Sequence, residues 1–132
     1  MSLIQAKCIE YNERRTINVA TEKGKTYRLN NHSNLKIRKV KVDKCVSQNH
    51  GEMRCDFLFN TDEKSTKNQV FFVELKGRGI GHALKQLYQT IVFLKSDFKN
   101  HQLNARIVGS KDAPGFANIS GYKKLKNEIQ SS

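Results

Sequence analysis

Three charged residues stand inside apolar segments, and their spacing suggests chemistry. Asp56 interrupts Arg54-Cys55-Asp56-Phe57-Leu58-Phe59, and Glu74 and Lys76 close the most hydrophobic stretch, Val70-Phe71-Phe72-Val73-Glu74-Leu75-Lys76. In a strand, alternate side chains share a face, so Glu74 and Lys76 point one way and Leu75 the other. If the two segments pair, two carboxylates and an ammonium converge. Carboxylates held together in a partly buried place repel each other, and each one left unpaired costs on the order of several kcal/mol. Lys76 neutralises one of them. A divalent cation neutralises both, and hard oxygen ligands of this kind select Mg²⁺ or Mn²⁺. An ion so held polarises a phosphodiester and lowers the pKa of a bound water, with Lys76 placed to orient that water or to stabilise developing charge. Asp43, in Val40-Lys41-Val42-Asp43, is a further candidate acid or, alternatively, a partner for the surrounding lysines.

The elements that must position these residues are legible in outline. Lys7–Tyr11, Thr16–Thr21 and Thr26–Leu29 contain β-branched and aromatic residues and are expected as short strands, with Glu22-Lys23-Gly24-Lys25 as a turn. Lys36–Val46, Arg54–Asn60 and Gln69–Lys76 are expected as three successive strands of an antiparallel meander. The unbroken apolar run in the last of these predicts a strand covered on both faces. Gly77-Arg78-Gly79-Ile80-Gly81 ends it, and His82–Leu94 switches to helical period, with Leu84, Leu87, Tyr88, Ile91 and Leu94 as the buried stripe. Leu103–Val108 is expected as a strand parallel to the third, and Tyr122–Ile129 as a final helix. The expected fold is therefore α/β (α+β): a small central mixed β-sheet with flanking helices, preceded by short amino-terminal strands, in one domain over residues 1–132.

Asp56, seventeen intervening residues and then Glu74-Leu75-Lys76, on a strand–strand–helix–strand pattern, resembles the PD-(D/E)xK nuclease superfamily. That superfamily includes restriction endonucleases, Holliday-junction resolvases and RecB-like nuclease domains. The resemblance covers roughly residues 39–108. It implies a restriction-endonuclease-like core, Asp56 and Glu74 as metal ligands with the backbone carbonyl of Leu75, and Lys76 as the catalytic lysine. Cys55 stands where a proline often precedes the first acid, and no amino-terminal helix carrying a Glu is identified. On the helix, His82, Gln86 and Gln89 share a face apart from the apolar stripe. Gln86 resembles the glutamine of RecB-like members and is the expected fourth catalytic residue, with Gln89 and His82 behind it and Tyr88 assigned to the core.

Charge points to the substrate. The 132 residues carry 24 Lys+Arg against 12 Asp+Glu, a net +12, and such a field concentrates polyanions. From Lys23 to Arg54 nine basic residues face only Asp43 and Glu52, and Lys123, Lys124 and Lys126 form a second cluster. Lys39, Lys41, Arg54 and Arg78, with His82 and Gln89, are the candidate nucleic-acid contacts. The glycine-rich segment lacks the order of a P-loop or a Rossmann fingerprint, and no HExxH or Gly-x-Ser-x-Gly motif occurs. Cys8, Cys45 and Cys55 are odd in number and without metal spacing; reduced cysteines and a cytoplasmic chain are expected, with no signal peptide pattern and no span for a membrane. These features lead to a Mg²⁺-dependent (or Mn²⁺-dependent) endonuclease acting on DNA, with RNA open as a substrate and a homodimer or partner protein as the source of specificity. The rivals are a non-catalytic nucleic-acid-binding or regulatory module that keeps the fold, and a purely structural basic protein.

Overall fold

The computed structural model describes residues 2–46, 52–64, 67–75, 79–109 and 121–130. Seven strands and two helices follow in chain order: β1 (Ile9–Glu13), β2 (Ile17–Glu22), β3 (Lys25–Asn30), β4 (Ile37–Lys41), β5 (Phe57–Thr61), β6 (Asn68–Leu75), α1 (Ile80–Leu94), β7 (His101–Val108) and α2 (Tyr122–Gln130). Five strands form one sheet in the order β1-β4-β5-β6-β7, and β2-β3 form a separate two-stranded sheet. The expected meander is present, with β4 antiparallel to β5 (Val40 opposite Leu58) and β5 antiparallel to β6 (Phe57 opposite Val73). The crossover through α1 returns β7 parallel to β6, from Asn68 opposite His101 to Leu75 opposite Val108, as a strand–helix–strand connection requires. The fold is the mixed-sheet α/β class expected from the sequence.

Period-two alternation along β5 and β6 supplies two cores. Leu58, Val70 and Phe72 pack with Leu84, Leu87, Ile91 and Leu94 of α1 on one face. Phe57, Phe59, Val73 and Leu75 pack with Ala20 of β2 and with Tyr27 and Leu29 of β3 on the other. The central strands are thus covered on both sides, which explains the unbroken apolar run in β6. The β2–β3 ribbon turns through Lys23 and Gly24, both at positive φ (54° and 74°) between the paired residues Glu22 and Lys25. A two-residue connection of this type matches the right-handed twist of its strands, and Gly24 carries its second left-handed position without steric penalty. Among the described residues no helix is long and apolar enough to cross a membrane.

Two expectations are corrected. Strand β4 ends at Lys41 and β5 begins at Phe57, because the chain turns at Asp43 and at Asp56 rather than continuing extended. The cysteines are not all reduced: Cys8 and Cys45 form a disulfide with Cα atoms 5.7 Å apart, while Cys55 is free and buried. The antiparallel pairing of β1 with β4, Ile9 opposite Val40, carries the two sulfurs together across a separation of 37 residues, a contact that local spacing does not encode. Closing a loop of that length constrains the unfolded chain. Reduction is therefore expected to lower stability by about 2–4 kcal/mol, measured as urea unfolding with and without dithiothreitol; an unchanged midpoint would show that the bridge does not hold the fold.

Candidate metal-dependent active site

Where β5 starts, β6 ends. Asp56 immediately precedes β5, and its backbone is fixed on both sides: its N–H donates to the Val73 carbonyl (3.1 Å), and its carbonyl accepts from the Val42 N–H (3.0 Å). Its side chain is 1% exposed and reaches across to β6, where Oδ2 accepts from the Leu75 N–H at 2.8 Å. Glu74, the residue before Leu75, is fully buried. It falls on the same strand face as Val70 and Phe72, the face that packs against α1. Cys55 lies close to both acids: burial first, and then Glu74 and Asp56, push its thiol above the ordinary range. A thiol so held stays protonated and unreactive. Two acids chosen for their positions in sequence are thus brought to the same end of two paired strands.

A third acid joins them, and the sequence did not single it out. Glu22, the last residue of β2, shares the inward face of its strand with buried Asn18 and Ala20. The ribbon packs on that face of the sheet, and the Glu22 carboxyl lies beside Asp56, close enough for each to shift the other's titration. Burial, and then this contact, push Asp56 up to about 6 from an ordinary 3.8, against the opposing pull of the Leu75 N–H. Glu22 is pulled down, first by the bond with Asp56 and further by Lys41 and Lys23, against burial. Lys41 Nζ sits 3.4 Å from Glu22 Oε1, while Glu22 Oε2 is buried with no hydrogen-bond partner. Alternation alone would have pointed Ile17 and Val19 inward. They are instead 45% and 40% exposed, and the polar row carrying Glu22 faces the sheet.

The helix residues act on the segment leading into Asp56. Gln86 Nε2 donates to the Arg54 carbonyl (3.3 Å), Gln89 Oε1 accepts from the Met53 N–H (2.8 Å), and Thr90 Oγ1 accepts from the Cys55 N–H (2.8 Å). One face of α1 thereby fixes three consecutive residues. Gln86 Oε1 is buried and without a hydrogen-bond partner among the described residues. Thr90 was not anticipated. Replacing it by valine leaves the buried Cys55 N–H unsatisfied and is expected to cost about 1–3 kcal/mol, read as a shift in urea midpoint at unchanged slope. A loss below about 0.3 kcal/mol would remove Thr90 from this role.

The remaining sequence candidates are placed as follows. Lys39 is mostly buried, with Nζ 3.0 Å from Glu10 and 5.0 Å from the Phe57 ring centre. Lys41 packs on the same ring at 4.7 Å besides meeting Glu22. Arg54 is 2% exposed, pairs with Glu52 at 2.8 Å and stacks on Phe93 at 4.2 Å. These three cations, expected at the nucleic-acid surface, are committed to partners within the chain, as is Gln89. Asp43 lies in the turn after β4, half-exposed, and does not join the acid group by any hydrogen bond or ion pair among the described residues. His82 is exposed in the first turn of α1, and Tyr88 is half-buried against the core as expected. Lys76 and Arg78 lie outside the described residues.

The acids offer hard oxygen donors from two sides of the sheet: Asp56 and Glu22 meet under the ribbon, with Glu22 Oε2 buried and without a hydrogen-bond partner, while Glu74 falls on the face toward α1, and the Leu75 carbonyl is adjacent. Among the described residues no three acidic, histidine or cysteine side chains are grouped so that they could hold a metal ion, so an ion here would rest on two carboxylates at most. An ion held here would keep water or substrate oxygens in its shell, as Mg²⁺ does where it works on phosphates. A cavity of about 590 Å³ between α1, β7 and α2 is lined by Leu84, Leu103, Ile107 and Leu125 among others and by none of the three acids, so it lies apart from the acid group. No family model, curated protein or solved structure matches this chain.

Proposed function

We propose that the chain is a metal-dependent nuclease that hydrolyses phosphodiester bonds of DNA, using Mg²⁺ or Mn²⁺. The observation that carries this reading is the burial of Asp56 and Glu74 together at the joined ends of β5 and β6, with Glu22 against Asp56, in a molecule of net charge +12. Buried carboxylates that repel one another cost a fold stability, and a site for a cation gives them a use. Asp56 and Glu74, with the Leu75 carbonyl, would hold the ion, and Glu22 lies beside Asp56. When bound, it supplies charge stabilisation at the phosphate and a water of lowered pKa.

The chain's own groups have separate tasks in this reading. The Leu75 N–H orients the Asp56 carboxylate. Lys41 holds Glu22 beside Asp56. Gln86, Gln89 and Thr90 keep the Asp56 segment in register with β6, the kind of support that fixes ligands in a productive geometry. Lys76 is proposed as the residue that orients the attacking water or stabilises the charge that develops on the phosphate. Membership in the PD-(D/E)xK superfamily belongs to the same proposal, and its support is the order of strands and helix around Asp56 and Glu74. So does a cytoplasmic setting, although a Cys8–Cys45 bridge is the kind of cross-link that oxidising compartments favour.

The test of substrate class is a cleavage assay of the full chain on plasmid, linear, single-stranded and branched DNA, and on RNA, in Mg²⁺, Mn²⁺ or EDTA. Metal-dependent cutting of DNA, abolished by EDTA, is expected. DNA binding without cutting in any metal would favour a regulatory module that keeps the fold.

A further inference from the structure

We propose that α2, with the adjoining side of α1, is the track along which a nucleic-acid phosphate backbone runs to the acid group. The inference takes its partner from the nuclease reading above, but it rests on different residues. Three of the cations expected to meet nucleic acid are occupied: Lys39 by Glu10, Lys41 by Glu22, Arg54 by Glu52. On α2 the situation is reversed. Lys123, Lys124 and Lys126 are exposed around the single buried residue Leu125, and none of them forms an ion pair among the described residues. Lys124 rests its ammonium 4.4 Å from the Tyr88 ring centre, which leaves its charge uncancelled. Lys85, exposed on α1 three positions before Tyr88, lies on that same side of its helix.

The two helices run alongside each other in the same direction. Gly121 lies against Leu84, where a Cβ would meet the Leu84 Cβ at 3.7 Å; Lys124 meets Tyr88; and Glu128 pairs with Lys95 near the far end. Both helices therefore start at the end of the sheet where β6 delivers Glu74. With a rise of about 1.5 Å per residue, the three α2 lysines fall within roughly one helical turn. Successive phosphates of a DNA strand are spaced about 3.4 Å apart along the axis, so several fall opposite such a cluster. Four uncancelled ammoniums in this span are complementary to a polyanion. An acidic bilayer would also attract them, but it is the poorer fit. The apolar side of α2, Leu125 and Ile129, is turned to the core and not outward beside the lysines, where a membrane-surface helix would need it.

The experiment is equilibrium binding of the full chain to a labelled 20-base-pair duplex in EDTA, over a salt series, so that binding is read without cutting. The variant is Lys123→Gln/Lys124→Gln/Lys126→Gln. Its control is Lys64→Gln/Lys67→Gln/Lys99→Gln, which removes the same charge from exposed positions at the opposite end of the sheet. The α2 variant is expected to bind at least about tenfold more weakly, and its slope of log K against log salt should fall by two to three units, at about 0.9 per phosphate contact. The control should stay within about twofold of wild type. Lys85→Gln alone reports the α1 side and should lower the slope by about one unit. Equal loss in both triple variants, or none in the α2 variant, overturns the proposal. So does an α2 variant that releases phosphatidylserine vesicles while holding DNA. Binding through α2 without metal-dependent cutting would leave this track standing and remove the nuclease reading; cutting with an inert α2 would do the reverse.

Discussion

Replacing Glu74 by glutamine is expected to lower metal-dependent DNA cleavage by about 10²–10³-fold or more while the fold is retained. The substitution keeps the shape of a fully buried side chain, so packing between β6 and α1 is preserved. What it removes is a negative oxygen from the end of the strand where Asp56 also lies. A loss of that size corresponds to about 3–4 kcal/mol of transition-state stabilisation, far more than a surface carboxylate contributes. Binding of DNA in EDTA should be unchanged, because no phosphate contact is lost. Cleavage by the glutamine variant at the wild-type rate would exclude Glu74 from the centre.

The second large effect is on stability, and its sign runs against intuition. Asp56→Asn is expected to stabilise the metal-free protein at neutral pH. The asparagine oxygen still accepts from the Leu75 N–H, which now meets Asp56 Oδ2 at 2.8 Å, but the repulsion against Glu22 disappears. The carboxyl of Asp56 is pushed up to about 6 from 3.8, so the native state holds a proton that the unfolded chain has released. As pH rises from about 4 through 6, the wild type therefore loses stability relative to the variant. A displacement of this size bounds the difference at about 3 kcal/mol. Glu22, pulled down by the same contact, returns part of it, so about 1–3 kcal/mol is expected at pH 7.5 and little difference at pH 4. Urea unfolding at the two pH values checks it. Saturating Mg²⁺ should reverse the order, since an ion that binds only the native wild type stabilises only that protein. A variant less stable than wild type at pH 7.5 would mean that Asp56 is a structural acid.

These two residues were legible in the sequence because a carboxylate inside an apolar strand is costly and therefore conspicuous. The pairing of β5 with β6 and the parallel return of β7 followed from strand order and crossover length, both local properties. Glu22 was hidden for a different reason. Its segment reads correctly as a turn, but the folding of the β2–β3 ribbon over the sheet is a tertiary contact, and the apolar residues Ile17 and Val19 face outward against the usual alternation. Lys39, Lys41 and Arg54 were read as surface charges because their partners Glu10, Glu22 and Glu52 are assigned only by the fold. Arg54 and Glu52 are two residues apart and still could not be paired from spacing, since that geometry depends on the stack of Arg54 on Phe93. The Cys8–Cys45 bond was missed on the same grounds: β1 meets β4 only after the intervening ribbon has looped out.

The claim that joins these observations is that the buried acids exist to hold a cation. Equilibrium Mn²⁺ binding to the full chain at pH 7.5, compared between wild type and the Asp56→Asn/Glu74→Gln double variant, tests it most directly. Saturable binding by the wild type, weakened at least about 100-fold in a variant that remains folded, is the predicted result. Equal binding by the two proteins, or none by the wild type, would contradict it.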